Sequence, residues 1–268
     1  MTQRSLEQIP LYDGTGFYNG TGFYNGTGFY NGTGFCNGTG FCNGTGFCNG
    51  TGLYNGDGLR LTVATPESAV RGGIIVAPDV RGVTEDVWQF AAELAGEGWL
   101  AVIPHLFHRD GVDELPDDGD AVARHLERLT AGTIHADTDA ALHWLAQRGV
   151  AADQMGIAGF GLGGAVALVV ATQRDLGAVV TIGGIGVMEP VVAGLPALVE
   201  VAAELRCPWL GIYGWDGEVP EADVNKLRDA AHSAHVATDL VHCCFDTDRS
   251  VAPEAWSRTL NWFCSHLR

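Results

Sequence analysis

Lysine is almost missing from this chain. Lys226 is the only one, and 15 basic residues face 32 acidic ones for a formal net charge of −17. Without a basic stripe to neutralise phosphates, nucleic acid is excluded as an expected partner. Long apolar runs are also lacking. The longest, Leu176 to Met188, is short and Gly-rich, so no bilayer span is expected, and Met1 to Pro10 has no apolar core of signal-peptide type. A cytoplasmic location without membrane attachment follows as the expectation. The seven cysteines form no C-x-x-C pair and have no matching histidine spacing, which points to reduced thiols and to no metal site.

Glycine, by contrast, is abundant at 38 residues, and much of it falls in one tract. From Tyr12 to Gly58 a six-residue unit, Y-N-G-T-G-F, repeats with Cys36, Cys42 and Cys48 replacing the tyrosine in three copies. Two glycines in six make ordering costly, because glycine loses the most backbone freedom on folding. Residues 1–57 are therefore read as a flexible low-complexity tail, with self-association through stacked Phe and Tyr as the sharper alternative. The full chain is 46% hydrophobic, enough for one sizeable core, and residues 58–268 are read as the globular domain.

Within that domain, apolar strand-like runs alternate with amphipathic helical runs, the pattern of a mostly parallel central sheet with helices on both faces. Strands are expected at 59–65, 73–77, 100–103, 155–159, 178–182, 209–213 and 237–241. Helices are expected near 84–96, 119–129, 136–148, 163–173, 221–234 and 253–266. In such sheets the chemistry gathers at the carboxyl ends of the strands, which places Asp79, Arg109, Gly161 and Asp216 on one rim.

The segment Met155 to Gly164, M-G-I-A-G-F-G-L-G-G, reads as strand, sharp turn and helix. That is the nucleophile elbow of an α/β-hydrolase fold, which normally lifts a Ser or Cys above the sheet. Here the lifted position is Gly161, so the nucleophile position is vacant. The same letters satisfy G-x-G-x-x-G, which keeps a dinucleotide site open as an alternative, although T-I-G-G-I-G-V supplies no acidic residue where a ribose would need one.

Four segments in order, A-P-D-V-R-G-V (77–83), P-H-L-F-H-R (104–109), G-F-G-L-G-G (159–164) and G-W-D-G-E-V-P (214–220), resemble the dienelactone hydrolase family. A-W-S-R-T-L-N-W-F (255–263) resembles that family's last helix. The resemblance implies hydrolysis of small lactones and carboxylic esters by a Cys–His–Asp triad, with no cofactor. It places Asp216 on the triad acid, Arg109 on the arginine that receives a substrate carboxylate, and Asp79 on a glutamate that contacts the resting thiol. The family histidine falls on Cys243, with His242 one residue earlier, so either could stand at the triad base position. An oxyanion hole from the N–H groups of Val80 and Leu162 would survive these changes, because backbone donors do not depend on side chains.

The expected function is thus a lactone or ester hydrolase of this family, catalytically impaired at Gly161. The competing reading is a non-catalytic module on the same scaffold that binds a small acid or a protein. The expected partner is a small-molecule ester, lactone or carboxylate. Other groups have plainer explanations. His135, Asp137 and Asp139 stand two apart on a helix and diverge, which disfavours a metal. His232 and His235 read as surface residues, and Trp88 could wall the pocket or sit in the core.

Overall fold

The computed structural model describes residues 2–9, 59–215, 217, 219–243 and 253–268. The repeat expected as a flexible tail, Asp216 and residues 244–252 lie outside these residues. Residues 1–7 and 60–268 belong to one compact unit.

In chain order the elements are β1 (Gln3–Ile9), β2 (Leu59–Thr65), β3 (Gly72–Ala77), α1 (Glu85–Gly96), β4 (Trp99–Pro104), α2 (Gly119–Leu126), α3 (Ala131–Gln147), β5 (Met155–Phe160), α4 (Leu162–Gln173), β6 (Ala178–Ile182), α5 (Leu198–Val201), β7 (Trp209–Gly214), α6 (Glu221–Ala231), β8 (Thr238–Cys243) and α7 (Pro253–His266). They build one eight-stranded sheet in the order β1-β2-β4-β3-β5-β6-β7-β8. β2 runs antiparallel to β4, whereas the pairs from β4–β3 through β7–β8 are parallel. Strands β3, β4 and β6 are buried along their whole length, which is why they read as continuous apolar runs rather than as alternations.

Two glycines show that helices cover both faces. A Cβ on Gly73 would meet Leu145 of α3, and one on Gly156 would meet Phe263 of α7. Gly73 pairs with Met155 and Ile74 with Gly156, so these positions have opposite parity and point to opposite faces. Phe90 of α1 lies edge-on to Trp256 of α7, with ring centroids 5.3 Å apart, so α1 and α7 share one face.

The residues 3–9 that the sequence reading placed in the tail form β1 at the sheet edge. Glu7 anchors it by accepting hydrogen bonds from the Trp144 indole at 2.8 Å and from Arg148 at 2.9 Å. Helix α3 starts five residues earlier than the apolar spacing suggested. Its start is a reciprocal Thr130–Thr133 cap, the hydroxyl counterpart of the usual Ser/Thr–Glu box. Strand β8 runs on to Cys243, so His242 and Cys243 are successive strand residues on opposite faces.

Candidate active site

The carboxyl ends of β3, β5, β6 and β7 converge on a cavity of about 340 Å³. Phe160, Ile182 and Tyr213 line it from the last positions of their strands or next to them. Gly214 at the end of β7 and Asp79, Val80, Gly161, Gly183, Ile185, Gly217 and Val219 from the loops that follow complete the wall. The sequence reading missed the apolar lining residues. Their place at the carboxyl end of each parallel strand is the signal that could have found them.

Gly161 forms the turn between β5 and α4. Its backbone has φ 48° and ψ −110°, a region that side chains strongly disfavour. The turn is held firmly: the Gly161 N–H donates to the Ile182 carbonyl at 3.0 Å, and its own carbonyl accepts from Ala165 and Ile185, each at 3.2 Å. Strand and helix approach closely here because Gly159 and Gly163 have no side chains. A Cβ on Gly159 would strike the Gly163 carbonyl, and one on Gly163 the Ala77 carbonyl.

The space above Gly161 is filled by Asp79. A Cβ at position 161 would collide with the Asp79 carboxylate. Asp79 Oδ1 accepts the Leu162 N–H at 2.9 Å, at the first residue of α4. An anion at a helix N-terminus is favoured by the unpaired N–H groups and by the helix dipole, by roughly 0.3–1 kcal/mol and up to ~2 kcal/mol when partly buried. The chain therefore supplies its own anion to the donor that would serve as an oxyanion hole. The neighbouring Tyr213 hydroxyl is buried and donates to the Gly184 carbonyl at 3.1 Å; burial pushes its titration upward.

The structure thus brings Asp79, Val80, Gly161 and the Leu162 N–H together. It places Arg109, His242 and Cys243 elsewhere, and Asp216 lies outside the described residues. Arg109 does not line the cavity but forks onto Asp137 of α3, with two bonds of 2.8 Å, and the Asp137 carboxylate is wholly buried. His108 also approaches Asp137, at 3.3 Å. Asp139 is held by Arg174 through bonds of 2.7 and 2.8 Å, so the acids of H-A-D-T-D are spent on arginines. Among the described residues no cluster of His, Cys, Asp and Glu could hold a metal ion.

Cys243 packs into the apolar core at 1% exposure, in the cluster that includes Ala255 and Phe263 of α7. His242 stacks on Trp215, ring centroids 4.6 Å apart, and its buried Nε2 has no hydrogen-bond partner among the described residues. It lies beside Tyr213 in the β7–β8 register but does not line the cavity. Trp88 is half-buried against the core, with Arg4 stacked over its ring at 4.6 Å. His232 and His235 are exposed.

The strand order, the elbow between β5 and α4 and the cavity at the strand ends define an α/β-hydrolase. The chain belongs to the dienelactone hydrolase family, whose family model matches residues 59–267. It is 28% identical over 208 residues to a Yersinia pestis protein named "Putative carboxymethylenebutenolidase", spanning 72% of this chain and 78% of that one. A protein of the same name from Escherichia coli K12 is 27% identical over 205 residues, 71% of this chain and 75% of the relative. Among solved structures, the "Putative Dienelactone Hydrolase" from Klebsiella pneumoniae superposes with TM-score 0.68 at 26% identity, covering 79% of this chain and 95% of that one. The dienelactone hydrolase from Anabaena variabilis shares the fold, with TM-score 0.56 at 20% identity over 80% of this chain and 94% of the other. No helix among the described residues is long and apolar enough to cross a membrane.

Proposed function

We propose that this chain is a hydrolase-family protein in which the thiol route to lactone and ester hydrolysis is impaired, and whose cavity receives small neutral molecules of that size. The observation that carries this reading is the Asp79 carboxylate seated over Gly161 and bonded to the Leu162 N–H. An acyl-enzyme needs a nucleophile on the elbow and a free donor for the developing oxyanion. Position 161 has no side chain, and its oxyanion donor is engaged. Val80, the other backbone donor expected for the oxyanion hole, lines the same cavity.

The names of the relatives suggest a butenolide lactone substrate with a carboxymethylene arm. In this chain such an arm would approach Asp79, and Arg109, the cation expected to receive it, is committed to buried Asp137. A neutral ester or lactone fits the cavity better than a small acid, and the same carboxylate opposes a dinucleotide phosphate at the start of α4. The triad roles of Asp216, His242 and Cys243 remain with the family resemblance. The cavity wall at Gly214 and Gly217 flanks Asp216 in sequence, which keeps the acid at this site in the proposal.

The test is hydrolysis of 4-nitrophenyl acetate and of a dienelactone by the unmodified chain and by Gly161→Cys. The unmodified chain is expected to stay within the residual acceleration left to sites without their triad, roughly 10³-fold to 10⁴-fold over water. Saturable turnover far above that scale, undiminished in Asp79→Asn, would overturn the reading.

A further inference from the structure

Among the described lining residues, one carboxylate is left to react once the thiol route is closed. Asp79 and Tyr213 are the only ionisable side chains among the described lining residues, and the Tyr213 hydroxyl is tied to Gly184. We propose that Asp79 is itself a catalytic nucleophile, which displaces halide from small neutral alkyl halides. Gly161 gives its carboxylate room, and the Leu162 N–H holds the oxygen that does not attack. The inference rests on the proposed reading that position 161 forms no acyl-enzyme.

Three features of the site select this chemistry. First, an ester carbonyl would need the Leu162 N–H, which Asp79 Oδ1 already occupies at 2.9 Å. A substrate that reacts at a saturated carbon needs no oxyanion donor in its first step. Second, the described residues place no donor on Asp79 Oδ2, so this oxygen keeps its lone pairs for attack. Third, the group displaced from saturated carbon in the first step must depart without a proton. The buried Tyr213 hydroxyl donates to a carbonyl and its titration is pushed upward, so an alkoxide or an opening epoxide would find no acid among the described lining residues. A halide leaves as a stable anion. Apolar walls from Val80, Phe160, Ile182, Ile185 and Val219 suit a neutral alkyl chain, and about 340 Å³ limits its size.

The reaction balances in two steps. Asp79 Oδ2 forms a bond to the substrate carbon while the carbon–halogen pair leaves as halide, giving an alkyl ester of Asp79 whose carbonyl oxygen is Oδ1. Water then adds to Cγ of that ester, and the charge that develops on Oδ1 falls on the Leu162 N–H at the positive end of α4. Collapse of the adduct expels the alkoxide, which takes up one proton of the added water by way of solvent and leaves as the alcohol. The second proton is released to solvent and the carboxylate is restored. The net change is alkyl halide plus water to alcohol plus hydrogen halide. The backbone donor that serves an acyl-enzyme's substrate elsewhere would here serve the protein's own acyl group.

The test uses the full chain in excess over 1-bromobutane in ¹⁸O-labelled water, reading bromide release, the position of the label and butyl adducts by peptide mapping. The expected result is bromide release with ¹⁸O in the Asp79 carboxylate, or a butyl ester on Asp79 where hydrolysis is slow. Asp79→Asn keeps the shape and the Leu162 bond, and it should lower bromide release by roughly 10²-fold or more. The proposal is overturned by absence of bromide release, by label only in butanol, or by butyl groups confined to cysteines. Adduct mapping on the unmodified chain decides without any variant. Parallel silence or turnover with 4-nitrophenyl acetate reports separately on the thiol-route reading.

Discussion

Position 161 and position 79 describe one event at the scale of a residue. A cysteine on the elbow would put its Cβ where Asp79 now has its carboxylate, so the two side chains exclude each other. The sequence reading had Asp79 as a neighbour of an absent thiol, and the vacancy itself was plain in G-F-G-L-G-G. What sequence could not show is that the carboxylate turns onto the Leu162 N–H, because that depends on the path from β3 meeting α4 across 83 residues. The exclusion has a measurable form. Gly161→Ala should destabilise the native chain, with backbone strain at φ 48° contributing on the order of 1–3 kcal/mol and the clash with Asp79 adding to it. In an Asp79→Ala background only the strain remains. A double-mutant cycle by urea unfolding should therefore give a coupling of about 0.5–3 kcal/mol, as is typical of residues in contact. Additive losses would mean that the carboxylate is not held over Gly161.

At the scale of elements, the parallel strands and their covering helices were legible because each is a run of apolar residues with its own period. The features that depended on distant partners were not. β1, with sequence Q-R-S-L-E-Q-I, has little apolar content and an exposed pattern, and it is fixed by Glu7 reaching Trp144 and Arg148 on α3. The spacing of His135, Asp137 and Asp139 on a helix argued against a metal but did not show that Asp137 of α3 is buried and meets Arg109. Asp137 is fully buried while Arg109 is about one-third exposed, so removing the arginine would leave a buried carboxylate without its main partner, and Arg109 reads as structural cement between the loop after β4 and α3. A second buried link joins β2 to the end of β4. The Thr62 hydroxyl lies 2.8 Å from His105 Nε2, and His105 Nδ1 lies 2.7 Å from Asp113. These partners fit the neutral ring, with Nδ1–H donating to the carboxylate and Nε2 accepting from the hydroxyl.

Burial lowers the His105 pKa from 6.5, and Asp113 opposes that shift without reversing it. The sign of the linkage follows. Above pH 6.5 the ring is neutral in both states and the link is fully present. As pH falls below 6.5 the unfolded chain takes up the proton first, and stability is lost down to the lower folded value. The melting temperature should therefore drop between pH 6.5 and 5, and His105→Gln, though less stable at pH 7.5, should show a shallower drop. Parallel slopes for the two proteins would exclude His105 as the source.

The whole molecule carries a surplus of 17 negative charges, 32 acidic residues against 15 basic ones. Many of the arginines are already matched: Arg60 with Asp113, Arg109 with Asp137, Arg148 with Glu7 and Arg174 with Asp139. The unmatched acids repel one another across a folded surface more closely than in an extended chain. Two effects of added salt therefore compete. Screening weakens the exposed pairs, each of which contributes about 0–1 kcal/mol, while the Arg109–Asp137 fork, with its carboxylate fully buried, is affected less. Screening also relieves the repulsion summed over the surplus, which involves more charges than the exposed pairs do. The repulsion should dominate, so the melting temperature should rise as sodium chloride goes from about 10 mM to about 500 mM, where the Debye length shortens from roughly 30 Å to under 10 Å. A scanning-calorimetry series at pH 7.5 would measure it, and sodium sulfate at matched ionic strength would separate screening from exclusion effects. A flat or falling curve in sodium chloride would mean that the paired arginines, and not the surplus acids, set the electrostatic balance of the fold.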